Sequence, residues 1–392
     1  MDGAGLVEDA PRELGGPPTP DAAPLLLPRD ALQRLVDLLR QDGWRVLGPV
    51  PRDGAVVLDE IERVEELPLG LREVQEAGRY RLEPSGRHAF FDVVNGPGSL
   101  KPLVFAPREP LLQIELDAFE EAPRGGAFRA RELVPEAPRL AVLGVRACDL
   151  AALAVQDRIF LEDREPDAAY AARRRGLLLV GVSCTRAAPT CFCVSFDSGP
   201  GVTRGHDLAL TELAEGFVAR AGSAAGESLL GRLAPDPAPA ALLASEEAAI
   251  QACAASQRRS LAVEGLPERL WQSLEHPRWR DVGARCLSCG NCTMVCPTCF
   301  CHDVWDEPAL EGGSLRVRAW DSCFDRDHAQ VRGLNHRPTV QDRYRQWLTH
   351  KLAGWVEQYG TSGCVGCGRC ITWCPVGIDL TEEVAALEVP PP

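Results

Sequence analysis

Eight of the sixteen cysteines fall into two runs that share one spacing. Cys286, Cys289, Cys292 and Cys296, followed by Pro297, make a C-x2-C-x2-C-x3-C-P run. Cys364, Cys367, Cys370 and Cys374, followed by Pro375, repeat it. Three thiolates from one tight loop can cap three irons of an iron–sulfur cube, and the fourth iron then takes its ligand from elsewhere. In the bacterial ferredoxin pattern the fourth cysteine of each run ligates the other cluster. On that pattern one [4Fe–4S] cluster takes Cys286, Cys289, Cys292 and Cys374, and a second takes Cys364, Cys367, Cys370 and Cys296. Gly290, Gly366 and Gly368 suit a backbone turning tightly around sulfur, with amide N–H groups free to bond it and tune its potential. The bland alternative is zinc, which C-x2-C pairs also bind. A zinc knuckle uses two pairs or mixes in His, and does not call for three cysteines and a Cys-Pro, twice.

A second constellation lies upstream. Cys148 follows one continuous apolar run and Cys184 follows another, with Cys191 and Cys193 on the next loop in Pro-Thr-Cys-Phe-Cys. If the runs are neighbouring parallel strands, all four meet at the C-terminal edge of a sheet, the usual binding edge of an open α/β fold. That suffices for a third [4Fe–4S] cluster; the alternative is buried neutral thiols packing as small hydrophobes. Pro-Thr-Cys-Phe-Cys recurs at 297–301, giving Cys299 and Cys301, with Cys323 downstream. These three either line the cluster shell or compete for the third site, and Cys253 reads as core. His302, His328, His336 and His350 are expected in capping or surface roles. Arg337, Arg343, Arg345 and Lys351 read as a docking face or a solvated helix face. Trp320, Trp347, Trp355 and Trp373 are expected to pack around the clusters and exclude water.

The elements that position these residues follow from periodicity. Met1 to Pro28 is rich in Gly, Pro, Ala and Asp and lacks the basic start and apolar stretch of a signal peptide, so it reads as a disordered leader. Residues 30–40 have helical spacing, with Asp30 as N-cap and Gly43 as stop. Strand-like runs follow at 55–61, 103–106 and 111–116. Residues 139–145 and 176–182 are apolar throughout, as strands buried on both faces are. Between them residues 149–160 read as a helix capped by Asp149, giving a βαβ unit. Residues 216–275 are Ala-rich and read as helical, broken near 235–239. Eleven of the sixteen cysteines lie from Cys286 onward, which marks a second domain. About 67 residues separate the two runs, more than in a small ferredoxin, and the insert includes a helix-like stretch at 340–359. The expected fold is an α+β or α/β N-terminal domain followed by a mostly α-helical dicluster ferredoxin domain. The boundaries are 1–28 leader, 29–280 α/β domain and 281–392 ferredoxin domain.

Composition narrows the function. A net charge of −14 argues against a nucleic-acid surface. The longest apolar run is far shorter than the eighteen or so residues of a membrane span. With no secretion signal the chain reads as cytoplasmic, where thiols stay reduced and cysteines serve as metal ligands. Neither lysine, Lys101 or Lys351, stands in a P-loop, and no G-x-G-x-x-G follows a strand. The reading is therefore no flavin or NAD on this chain, so a partner must bind the nucleotide.

Taken together, the segments 144–161, 190–201, 286–301, 320–324 and 364–375 resemble the beta subunit of cytoplasmic NiFe-hydrogenase/sulfur reductases. That family is a close relative of an iron–sulfur subunit of anaerobic sulfite reductase. The resemblance spans roughly residues 28 to 385. It implies an alpha-helical ferredoxin architecture and an electron relay between a flavin subunit that uses NAD(P)H and a catalytic subunit. That catalytic subunit is a NiFe-hydrogenase or, alternatively, a sulfite reductase. A rival of another class is a self-contained iron–sulfur reductase with its active site in the N-terminal domain. A zinc-stabilised structural module is a third.

Overall fold

The computed structural model describes residues 23–116, 128–162, 164–310 and 312–387. Residues 1–22 of the expected leader lie outside the described residues, but its end does not. Leu25–Leu27 is a strand, with Leu27 buried. Three leucines ahead of Pro28 offer apolar surface to a neighbouring strand, which outweighs the Pro-rich composition before them.

One eight-stranded sheet organises the N-terminal part. Its strands are β1 (Leu25–Leu27), β2 (Arg45–Arg52), β3 (Ala55–Glu60), β4 (Leu140–Val145), β5 (Leu177–Val182), β6 (Leu208–Glu212), β7 (Phe217–Ala221) and β8 (Asp236–Pro237), in the order β8-β1-β7-β6-β5-β4-β2-β3. The central strands β2, β4, β5 and β6 pair in parallel, and antiparallel partners flank them. The two apolar runs are the neighbouring parallel strands β4 and β5, joined through the helix Ala147–Phe160. The helix Ala31–Gln41 buries Leu32, Leu35, Val36 and Leu39, as its spacing predicts.

Three local expectations need correction. Residues 103–106 do not form a strand; Lys101–Val104 is a short helix with Pro102 in its first turn, where a missing N–H is harmless. Asp149 does not cap its helix. Arg146 holds the cap position, and the Asp149 carboxylate instead meets the buried Arg369 guanidinium at 2.8 Å. The Ala-rich stretch is helical at Ala224–Leu233, Ala240–Ala255 and Leu266–Gln272, but it opens with the buried strand β7.

The C-terminal part is not mostly helical. The insert between the cysteine runs holds an antiparallel hairpin, His302–Pro308 against Ser314–Trp320. Its second strand also pairs with Arg108–Leu116, which pairs with Phe128–Glu132. One four-stranded sheet thus contains strands from both sides of residue 281. The signal is the alternation Leu315-Arg316-Val317-Arg318-Ala319, a period of two. Helices do surround the runs: Arg278–Arg285, Val340–Thr349 continuing through a π turn into Trp355–Tyr359, and Leu380–Leu387. They share a core with Trp279, Phe324, Tyr344, Trp347 and Leu348. Among the described residues no helix is long and apolar enough to cross a membrane.

Candidate metal centres

Cys286, Cys289, Cys292 and Cys374 line one apolar cavity, so the structure brings the first expected set together. Cys286 caps the helix Arg278–Arg285, and the turn after it needs a positive φ at Ser288 (52°) and Gly290 (71°). Backbone amides already face sulfur: Ser288 N donates to Cys286 Sγ and Ile378 N to Cys374 Sγ, both at 3.3 Å. Phe324, Tyr344, Trp347, Ile378 and Leu380 complete the wall. Tyr344 Oη and Trp347 Nε1 are buried with no hydrogen-bond partner among the described residues. Such groups are costly unless something in the cavity accepts from them. The sulfide-rich surface of a cube fits that need, as do four thiols around an apolar hollow. Burial pushes the Cys286 and Cys292 thiols up, so ionised sulfur there calls for a metal.

The second set, Cys364, Cys367, Cys370 and Cys296, is also brought together: Lys351 Nζ reaches Cys296 Sγ at 3.4 Å and, at 3.0 Å, the carbonyl of Gly363 that leads into the Cys364 turn. Gly366 N donates to Cys364 Sγ at 3.4 Å. Burial pushes Cys364 up to about 12. Cys296 goes the other way, held down by the hydrogen bond that the Cys299 thiol donates to it. The run presses onto the loop that carries Cys191 and Cys193. A Cβ on Gly366 would meet Phe192 O at 2.4 Å, and one on Gly368 would meet Thr190 O at 2.2 Å. These glycines therefore serve close approach as much as the turn around sulfur.

Cys148, Cys184, Cys191 and Cys193 line a single buried cavity at the C-terminal ends of β4 and β5, as the parallel pairing requires. Gln257 Nε2 donates to Cys193 Sγ at 3.1 Å, and Arg146 Nη1 lies 3.9 Å from Cys184 Sγ. Burial pushes Cys148 and Cys191 well above the usual thiol range, and Cys193 to about 11. Four neutral thiols with donors aimed at two of them fit a cluster better than a packed apolar core. Two further cysteines share this cavity. Cys253 is buried as expected of core, yet it lines the same space, and so does Cys367 from the second set. No feature of the Ala-rich helix signals that position of Cys253.

Cys299, Cys301 and Cys323 do not line the third cavity. All three are free thiols: Cys299 donates a hydrogen bond to Cys296, while Cys301 accepts from both Cys323 and His328. His328 is also held by Asp321, so it is neither a cap nor a free surface group. His350 accepts from Trp355 Nε1 at 3.3 Å, and His302 Nδ1 faces Phe300 O at 3.0 Å. The basic stretch is not a solvated face: Arg343 and Lys351 are buried. Arg343 donates to Ser288 Oγ at 3.1 Å, bracing the first cysteine turn. The tryptophans divide. Trp347 walls the first cavity, Trp355 packs on Phe300, Trp320 lies under Lys101, and Trp373 stacks on Tyr80 at 5.0 Å. Among the described residues no three His, Cys, Asp or Glu side chains stand close enough together to hold a single metal ion.

Residues 285–378 match the family model of a 4Fe-4S dicluster domain, so this part of the chain is an iron–sulfur domain. Over 338 residues the chain is 30% identical to Sulfhydrogenase 2 subunit beta of Pyrococcus furiosus, covering 86% of this chain and 90% of that relative. No solved structure matches.

Proposed function

Since the chain belongs to the family of sulfhydrogenase beta subunits, we propose that it is the electron-relay subunit of a cytoplasmic NiFe-hydrogenase complex. In this reading a flavin subunit that uses NAD(P)H stands on one side and a catalytic subunit on the other. Cys286, Cys289, Cys292 and Cys374 hold one [4Fe–4S] cluster, Cys364, Cys367, Cys370 and Cys296 a second, and Cys148, Cys184, Cys191 and Cys193 a third. Bound clusters supply one-electron redox chemistry. The chain's own residues supply placement, burial and hydrogen bonds.

The observation that carries the reading is the sharing of walls. Cys367 of the second set lines the third cavity, and Cys370 of the same set lines the first. The three sets therefore form a row with the second in the middle, an arrangement suited to conduction and not to holding a substrate. One end of the row approaches the surface, where Leu287 is 63% exposed and Cys289 is exposed as well. The other end lies buried at the sheet edge.

The test uses full-length chain purified without oxygen. About twelve irons per chain, reduction by a strong chemical donor and no oxidation of NADPH are expected. NADPH oxidation by the chain alone would overturn the relay. About eight irons would leave the N-terminal cysteines free for other work.

A further inference from the structure

Of the 42 Lys and Arg residues only two are lysines, Lys101 and Lys351. Both are buried, 4% and 3% exposed, where lysine is almost never found unpaired. They come from distant parts of the chain to the same loop. Lys351 Nζ donates to Cys296 Sγ at 3.4 Å, Thr298 Oγ1 at 3.2 Å and Gly363 O at 3.0 Å. Lys101 Nζ donates to Thr293 O at 3.2 Å and Met294 O at 3.1 Å, inside the run that ends at Cys296. Trp320 lies 4.0 Å beneath that ammonium. No carboxylate of the described residues pairs with either lysine.

Two buried cations without a counter-ion are strongly unfavourable. Sulfur faces both, Cys296, Cys299, Cys364 and Cys370 around Lys351 and Cys299, Cys296 and Cys301 around Lys101, while burial and then the Lys351 charge push the Lys101 ammonium down. A cube held by four thiolates is anionic, and gains one more negative charge on reduction. A fixed positive charge beside its ligand stabilises the reduced form more than the oxidised one. The arginines near the cysteine sets, including Arg369 between Cys367 and Cys370 of this same run, are placed differently. Arg369 is paired with Asp149 and Arg186 with Glu73 and Asp92. Arg146 donates to the carbonyls of Phe91, Val93 and Val94 and reaches Cys184 Sγ only at 3.9 Å.

We propose that Lys351 and Lys101 are positioning residues that raise the reduction potential of the cluster at Cys296, Cys364, Cys367 and Cys370. Lys351 acts as a direct donor to sulfur, and Lys101 acts through its field from the carbonyls of the run. The inference rests on the relay reading and gives the middle of the row its redox character.

Full-length chain purified without oxygen is titrated potentiometrically with detection by electron paramagnetic resonance. Lys351→Met should lower the midpoint of one signal at least tenfold in its reduction equilibrium, about 59 mV for one electron. Lys101→Met should lower the same signal by less, and Lys351→Arg should restore most of the loss. A purely structural role would change iron content or stability and leave the potential of intact protein alone. Unchanged midpoints in Lys351→Met with full iron, or Lys101→Met moving a different signal, would overturn this inference alone. If Lys351→Met loses its iron, Lys101→Met decides by the same criterion, an unmoved midpoint being the overturning result. Wild-type chain without reducible iron would overturn the relay reading, and this inference with it.

Discussion

The C-terminal cysteine runs and the N-terminal cysteine set gather thiols by different means. In each run three cysteines fall within one turn, fixed by residues such as Gly290 and Gly368 in the left-handed region. Their spacing is a local property. In the N-terminal set Cys148 and Cys184 meet only because β4 and β5 are adjacent and parallel, and Cys191 and Cys193 arrive on a separate loop. That site is a product of the sheet. The difference teaches that a metal centre can be written in a motif or in a topology, and that the two fail differently. A motif site is lost with its cysteines, whereas a topological site is lost with any contact that holds its elements in place.

The largest test separates the two directly. Cys370→Ser should remove about four irons from the C-terminal part and leave the N-terminal complement intact. Cys191→Ser should do the reverse, and iron quantification with visible absorbance reads both. Loss of all iron from Cys191→Ser would show that the sites cannot be treated as separate.

The next test attacks the seam between them. Arg369, two residues after Cys367, is buried and paired with Asp149 beside Cys148. Arg369→Ala leaves a buried carboxylate unpaired, which costs roughly 3–5 kcal/mol, read as a lower urea midpoint. Replacing both Arg369 and Asp149 by apolar residues should recover part of that loss. A loss in the double variant equal to the sum of the single losses would mean the pair is not coupled.

Gly366→Ala comes third. Its φ of 63° and the contact with Phe192 O put strain and overlap at one position. The cost is roughly 2–4 kcal/mol. Because the collision is with the loop of Cys191 and Cys193, iron should be lost from the third set as well as the second. Wild-type stability in this variant would remove close packing as the reason for the glycine.

The same contrast explains what can be read in the sequence. The two runs announce themselves by spacing, and the βαβ unit by two apolar runs around a helix. The convergence of Cys148, Cys184, Cys191 and Cys193 follows from those strands once they are neighbours. The pairing of Ser314–Trp320 with Arg108–Leu116 is not legible, because sheet partners two hundred residues apart leave no local mark. Nor is the burial of Lys101, Lys351 and Arg369. A lone basic residue in sequence looks like surface, and only the sulfur or carboxylate that meets it in space says otherwise. Cys253 is hidden for the same reason.

The smallest effect is a pH dependence confined to the C-terminal side. The hydrogen bond to the ionised Cys301 sulfur and then the Asp321 carboxylate hold His328 charged, raising it to about 9 against burial. A histidine raised on folding contributes stability that is complete below its unfolded value near 6.5 and fades as pH rises through 9. The contribution is on the order of 1 kcal/mol, given a partly exposed side chain. No histidine lines the cavity of Cys148, Cys184, Cys191 and Cys193, so that site has no such source of alkaline weakening. Urea unfolding between pH 6 and 10 should therefore show a decline that His328→Gln flattens, with the iron of the third set unaffected. An equal decline in His328→Gln would place the titration elsewhere, and the ion pair at the mouth of the hairpin would then do nothing to distinguish the two regions.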